Sequence, residues 1–103
     1  MDRQCDYTVI ATFRFKPGQS QKFRDFLDGE NGISITRWWA GCKLVEIYES
    51  AEDADTLIIW EKWETKEDHE SYIKMRTDTG AFERAGEWLK SPPEIVSLKL
   101  TPL

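Results

Sequence analysis

The chain has 103 residues and a formal net charge of −5. This length is typical of one domain, so residues 1–103 are expected to form a single unit. Nucleic-acid backbones and anionic membranes bind cationic surfaces, so the acidic balance argues against both as the main partner. The chain has no apolar run of about 18 residues that could span a membrane, and its N-terminal MDRQCDYTV lacks the apolar core of a signal peptide. We therefore expect a cytosolic protein.

Two cysteines, Cys5 and Cys42, are too few for a disulfide framework and are interpreted as reduced thiols. The single histidine and the lack of a CxxC pair argue against a metal site. Aromatic residues make up 13% of the chain, with five Trp and five Phe. That share is high for a small domain, so we expect some of these rings to line a pocket or an interface.

The first half of the chain begins with a predicted strand. Along Tyr7–Phe15 every second residue is apolar or aromatic, which is the alternation of a strand, and the Pro-Gly step after Lys16 ends it. A helix is predicted over Ser20–Asp28, because Phe23, Phe26 and Leu27 fall on one face and Gly29 follows as a stop. The segment Ile33–Ala40 fits a short helix, an irregular turn or a piece of strand equally well.

The middle of the chain predicts a β-hairpin. Lys43–Glu49 and Thr56–Trp63 are of strand length and rich in β-branched or aromatic residues, and a short acidic loop joins them. Both faces of the second strand carry bulky apolar side chains. One face has Leu57, Ile59, Glu61 and Trp63; the other has Thr56, Ile58, Trp60 and Lys62. Each face therefore needs a cover, and the alternation alone does not decide which one the helices supply.

The second half predicts two helical segments and a final strand. Thr65 with Asp68 resembles a helix start, and the helix should run over Lys66–Thr77. Ala81–Leu89 continues a helical pattern, and Glu94–Leu100 is the last strand. The residues predicted to face inward from the two helical segments are His69, Tyr72, Ile73 and Arg76, then Phe82, Ala85, Trp88 and Leu89.

The resulting order is β-α-(α)-β-β-α-α-β. It predicts a ferredoxin-like α+β sandwich, with a four-stranded antiparallel sheet and helices on one face. A large apolar sheet face is seldom left exposed in a monomer, so the second face predicts a homodimer through that face.

Several short motifs resemble the antibiotic biosynthesis monooxygenase (ABM) domain family, and the likeness runs from Thr8 to Leu100. They are Lys16-Pro17-Gly18, Ala40-Gly41-Cys42, Glu46-Ile47-Tyr48-Glu49-Ser50, Glu61-Lys62-Trp63-Glu64 and Ser91-Pro92-Pro93. The resemblance implies a dimeric α+β barrel with a pocket between sheet and helices. Members of this family oxidise phenols and hydroquinones with O2 and no cofactor, and others degrade haem.

The chain departs from the family at positions that bear on activity. Tyr72 stands where many members carry a histidine. The asparagine and histidine of the haem-degrading members would fall at Ala11 and Gly86. Both haem-contacting groups are missing, so haem degradation is set aside and no cofactor is expected.

The candidate catalytic residues are Tyr72, Arg76 and His69, which are spaced by helical turns on one face. A cation and a hydroxyl on that stripe could meet a substrate oxygen and stabilise a phenolate. The plainer interpretation has Tyr72 packed with its hydroxyl at the rim, Arg76 paired with an acid such as Asp25 or Glu61, and His69 exposed.

The candidate substrate-binding residues come from the aromatic segments. Trp38 and Trp39, beside Thr36, could form a lid over the pocket or a dimer contact. Trp63 could form a pocket wall or simply fill the core, and Phe82 and Trp88 are the remaining candidates. Three functions stay open: a monooxygenase acting on a small aromatic molecule, a non-catalytic module that binds an apolar metabolite, and a dimerisation domain without a cavity.

Overall fold

Eight elements follow one another along residues 7–103, the part of the chain that the computed structural model describes. Cys5 and the rest of the N-terminal segment lie outside this range. The predicted order is confirmed: β1 (Tyr7–Arg14), α1 (Ser20–Asp28), α2 (Ile33–Trp38), β2 (Cys42–Glu49), β3 (Thr56–Trp63), α3 (Lys66–Asp78), α4 (Ala81–Gly86) and β4 (Glu94–Lys99).

The four strands form one antiparallel sheet in the order β2-β3-β1-β4. The predicted hairpin joins β2 to β3, and Asp53 braces its loop. The Asp53 carboxylate accepts hydrogen bonds from the Asp55 backbone N–H and the Thr56 hydroxyl, both at 2.9 Å. The acidic loop is therefore a structural turn that fixes the register of the hairpin.

The structure decides which face of β3 the helices cover. Leu57, Ile59, Glu61 and Trp63 are buried beneath them, with Leu57 1% and Trp63 0% exposed. Val9, Ala11 and Phe13 of β1 share that face. Ala11 and Phe13 pack with Phe23 and Leu27 of α1, and Val9 packs with Trp63 and Tyr72. Each fully buried side chain of this kind stabilises the fold by about 1.5–3 kcal/mol. The ferredoxin-like α+β sandwich with helices on one face is thus confirmed.

The start signal of the long helix is also confirmed, since the Asp68 backbone N–H donates to the Thr65 hydroxyl at 3.0 Å. The ends of several elements differ from the prediction. Strand β1 stops at Arg14, and Phe15 makes an isolated bridge with Leu89. The undecided segment becomes helix α2, which packs against β2. Helix α3 continues to Asp78, and β4 ends at Lys99.

Helix α4 ends at Gly86, three residues before the predicted end at Leu89. Trp88 and Leu89 are partly buried against the core from the irregular segment that follows. Phe82, predicted to point inward, is 42% exposed. A helix this short can turn only one side to the sheet, and Ala81 and Ala85 occupy that side.

The opposite sheet face carries apolar side chains that the four helices do not cover. Ile10, Ile58 and Trp60 are half-buried there, while Val96 and Leu98 of β4 are 49% and 43% exposed. Among residues 7–103, no helix is long and apolar enough to cross a bilayer, and the longest, α3, has 13 residues.

Candidate active site

A cavity of about 700 Å³ lies between the helix-covered face of the sheet and the helices. Its walls come from β1, β3, all four helices and the segment that leads into β4. Most of the wall is apolar, and the side chains include Val9, Ala11, Phe13, Phe23, Phe26, Ile33, Ile59, Ile73 and Ile95. A cavity of this size can hold a small aromatic molecule.

One end of the cavity is polar, and its centre is the guanidinium of Arg76. Arg76 is only 5% exposed. It donates from Nε to the Tyr72 hydroxyl at 2.8 Å and from NH2 to Thr36 Oγ1 at 3.1 Å. It also donates to the backbone carbonyls of Asn31 at 2.7 Å and Gly32 at 2.8 Å. These acceptors are carbonyl and hydroxyl oxygens rather than carboxylates. Arg76 therefore does not pair with an acid as expected, and instead binds the connection between α1 and α2, residues 29–32.

The Tyr72 hydroxyl is held from two sides. It accepts from Arg76, and it shares a 2.6 Å hydrogen bond with the Thr36 hydroxyl. Burial raises the pKa of Tyr72, although Thr36 and Arg76 act in the opposite direction. The phenol therefore stays protonated at neutral pH, and it lies deep in the cavity wall rather than at a rim.

Next to this cluster, Glu61 and His69 face each other across β3 and α3. Glu61 Oε1 accepts a 2.8 Å hydrogen bond from Trp63 Nε1, and it lies 3.8 Å from His69 Nε2. Burial raises the pKa of Glu61, opposed by the Trp63 N–H and Arg76, and burial lowers the pKa of His69. Both shifts disfavour charge, and 3.8 Å is too long for a hydrogen bond, so the two groups are neighbours rather than an ion pair.

Five of the nine residues predicted for the site line the cavity: Thr36, His69, Tyr72, Arg76 and Phe82. His69 is buried at 9% exposure, which corrects the interpretation of an exposed histidine. The helical spacing had placed His69, Tyr72 and Arg76 on one face, and the structure brings that face against the cavity.

The four predicted tryptophans lie elsewhere. Trp38 is 88% exposed and is not part of the wall. The ring of Trp39 contacts Tyr72 edge-on at 6.1 Å, and Trp63 lies against His69 and Tyr72 at 5.4 and 5.2 Å between ring centres. Trp88 packs against the core. Trp39 and Trp63 therefore pack against site residues without lining the cavity. The residues they contact, His69 and Tyr72, are the ones that line it.

Glu61 and the carbonyls of Asn31 and Gly32 were not predicted from the sequence as site residues. Glu61 had a visible signal, since it is a lone carboxyl in the apolar row of Leu57, Ile59 and Trp63. A charge at such a position is costly unless it is partnered or used. The two carbonyls had no signal, because every residue carries one.

The fold and this cavity together define a ferredoxin-like α+β protein with a mostly apolar pocket that also has polar and ionisable side chains in its wall. The profile of the antibiotic biosynthesis monooxygenase family matches residues 6–88. The chain belongs to this family.

Solved structures with the same fold come from several microbes. The chain is similar to a conserved protein from Methanosarcina mazei Go1, with a TM-score of 0.85, 21% identity and 96% of each chain covered. It is also similar to Rv0793 from Mycobacterium tuberculosis, with a TM-score of 0.79, 26% identity and 95% of each chain covered. PA3566 from Pseudomonas aeruginosa gives a TM-score of 0.80 at 21% identity, covering 98% of this chain and 99% of that one. A search of the curated proteins gave no significant match.

Proposed function

We propose that this protein is a cofactor-independent monooxygenase that oxidises a phenolic or quinol-type aromatic substrate with O2. The observation that carries the proposal is an apolar cavity of about 700 Å³ with Glu61, His69, Tyr72 and Arg76 at one end. Membership of the monooxygenase family supports the reaction type.

The chemistry needs an electron-rich substrate that ionises inside the cavity. A phenolate can pass an electron to O2, and recombination forms a carbon–oxygen bond on the ring. Loss of the ring proton and cleavage of the O–O bond then give a quinone and water, so one phenol and one O2 are consumed without an external reductant. The protein contributes exclusion of water, orientation and stabilisation of the phenolate.

The proposed roles follow from the contacts. Arg76 is a fixed positive charge beside the cavity, so it stabilises a phenolate there, and Tyr72 with Thr36 keeps its guanidinium in place. His69 presents a neutral imidazole, because burial lowers its pKa. Phe82 lies at the exposed rim and is placed to contact a bound ring.

A panel of hydroquinones and naphthols, with O2 uptake followed for the purified protein, tests this proposal. Uptake above the protein-free rate is expected, with loss in Arg76→Met under conditions in which circular dichroism shows that this variant is folded. Uptake no faster than the protein-free rate across the panel would remove the enzyme assignment.

A second candidate is a non-catalytic module that binds a small apolar metabolite in the same cavity. One observation favours it: the Tyr72 hydroxyl and the Arg76 guanidinium already hydrogen-bond within the protein, so they are less available to a reacting oxygen. Binding of aromatic ligands by calorimetry without O2 uptake would support this candidate over the enzyme.

We also propose a homodimer in which two copies meet through the sheet face that carries Ile58, Trp60, Val96 and Leu98. The exposure of Val96 and Leu98 supports it, because a second sheet would cover them. Sedimentation should return twice the 12.1 kDa chain mass at micromolar concentration. Trp60→Glu should shift the protein to the monomer, and a wild-type monomer would refute the proposal.

The proposed compartment is the cytosol. It rests on the sequence expectation of reduced thiols, and Cys42 is a free thiol in the structure. Fractionation of the source cells, with the protein followed by antibody, tests it.

A further inference from the structure

Glu61 is part of the cavity wall, although only 7% of the residue is exposed. The proposed oxidation needs a group that takes the phenolic proton, and the roles given above to Tyr72, Arg76 and His69 do not include one. We propose that Glu61 is the catalytic residue that accepts this proton. The inference rests on the proposed function and deepens it.

A hydrogen bond to one oxygen of Glu61 fixes the orientation of its carboxyl group. The Trp63 N–H donates to Oε1 at 2.8 Å. Glu61 is one of the residues that line the cavity. A phenolic O–H in the cavity could therefore approach the second oxygen, Oε2, at hydrogen-bond distance.

The neighbouring groups are poorer proton acceptors. Arg76 is permanently protonated and acts only as a donor. Tyr72 is a neutral phenol whose pKa is raised by burial, and its oxygen is engaged by Arg76 and Thr36. His69 is neutral, but burial lowers its pKa, which weakens it as a base. Glu61 differs from Arg76 and Tyr72 because its carboxylate lines the cavity as a hydrogen-bond acceptor, and it differs from His69 because burial raises its pKa instead of lowering it.

The surroundings of Glu61 determine the direction of its pKa shift. From α3 it faces His69, Tyr72 and Arg76, and from β2 the thiol of Cys42. Its cross-strand neighbours on β1 and β2 are apolar, Val9 and Val45. Burial raises the pKa from its ordinary 4.5, and the positive charge of Arg76 partly opposes this. A carboxyl group with a raised pKa takes a phenolic proton at a smaller free-energy cost than an ordinary one.

In the proposed step, the phenolic O–H bond breaks and the proton moves to Oε2. The substrate keeps the electron pair as a phenolate, and Glu61 becomes a neutral acid. After O2 adds to the ring, the same proton returns to the peroxide oxygen. Glu61 has then returned the proton that it took, and it is again a carboxylate for the next turnover.

The test uses Glu61→Gln with Glu64→Gln as the matched control. The amide oxygen of glutamine can still accept the Trp63 N–H, and Glu64 is exposed, three residues along the chain. Glu61→Gln is expected to lower kcat/KM by about 100-fold or more, the range of general-base catalysis. The loss should shrink for more acidic phenols, which need no base, and Glu61→Gln should lose the acidic limb of the pH profile.

A second measurement does not depend on turnover. 4-Nitrophenol is added without O2, at a pH well below the pKa of the free probe, and its spectrum reports its ionisation. The wild type and Glu64→Gln should bind it in the ionised form and Glu61→Gln in the neutral form. If Glu61→Gln does not fold, Glu61→Asp replaces it and should keep an acidic limb at a reduced rate.

The outcomes separate the two proposals. Ionised probe on the wild type and neutral probe on the variant, without O2 uptake, would support Glu61 as the acceptor and remove the oxidation. O2 uptake in the wild type with an unchanged rate, pH profile and probe spectrum in Glu61→Gln would overturn the role of Glu61 alone. A wild-type protein that neither binds nor oxidises phenols would overturn both.

Discussion

Replacing Arg76 by Met should destabilise the fold strongly, because this side chain holds four separate groups. It donates to two backbone carbonyls in the α1–α2 connection, to the Tyr72 hydroxyl and to Thr36 Oγ1. Methionine keeps much of the volume of the side chain and removes every donor. The Thr36 and Tyr72 hydroxyls can still bond each other, and the Gly32 carbonyl keeps the 3.2 Å bond from the Ile35 N–H, but the partly buried carbonyl of Asn31 loses its Arg76 donor.

The magnitude follows from these contacts. A hydrogen bond to a charged group contributes about 1.5–3 kcal/mol, and a buried polar group left without a partner costs about 1–3 kcal/mol. Because the total stability of such a domain is roughly 5–15 kcal/mol, Arg76→Met should remove a large share of it. Arg76→Lys keeps the charge but offers a single donor centre, so its loss should be intermediate.

Urea unfolding, followed by tryptophan fluorescence, measures the effect as a shift in midpoint at constant slope. Lys74→Met is the matched control, since Lys74 lies on the same helix but pairs with Asp78 at the surface. Its midpoint should stay unchanged. A loss below about 1 kcal/mol in Arg76→Met would refute the view that this guanidinium ties α3 to the α1–α2 connection.

Three further predictions concern stability. Burial lowers the pKa of His69 below 6.5. The neutral ring therefore contributes stability that is lost as the pH falls through the folded pKa. Urea midpoints measured between pH 7 and 4 should show this loss in the wild type, and His69→Gln should reduce it. Gly41 and Gly18 both have positive φ, but a Cβ at Gly41 would lie 2.1 Å from Asp68 Oδ2 and one at Gly18 would meet nothing within 4 Å. Gly41→Ala should therefore lower the thermal midpoint by clearly more than Gly18→Ala, and equal losses would contradict the close approach to Asp68. Thr65→Ala removes the α3 cap and should cost about 1 kcal/mol in urea unfolding, with Thr65→Ser restoring most of it.

Part of the candidate site could be predicted because it depends on helical spacing alone. His69, Tyr72 and Arg76 fall on one face of α3 wherever that helix packs, so their joint position needed no tertiary information. The partners of Arg76 could not be predicted. They are carbonyls of Asn31 and Gly32, far along the chain, and carbonyls carry no sequence signal.

The tryptophans show the opposite case. Composition predicted that some aromatic rings line a pocket or an interface, and Phe13, Phe23 and Phe26 line the cavity, whereas Trp39 and Trp63 only contact Tyr72. It could not indicate which rings reach the cavity. That depends on where α2 ends and how it lies on β2, and Trp38, the last residue of α2, turns outward.

The sequence by itself determined the order of strands and helices and the ferredoxin-like class, because alternation, helical spacing and cap residues act over a few neighbouring positions. It also showed that both faces of β3 need a cover. Only the tertiary structure decided that Leu57, Ile59, Glu61 and Trp63 face the helices. The physical reason is that both rows of β3 are hydrophobic enough to be buried. The choice between them is made by the summed packing of β1, β2 and the helices, which no single segment contains.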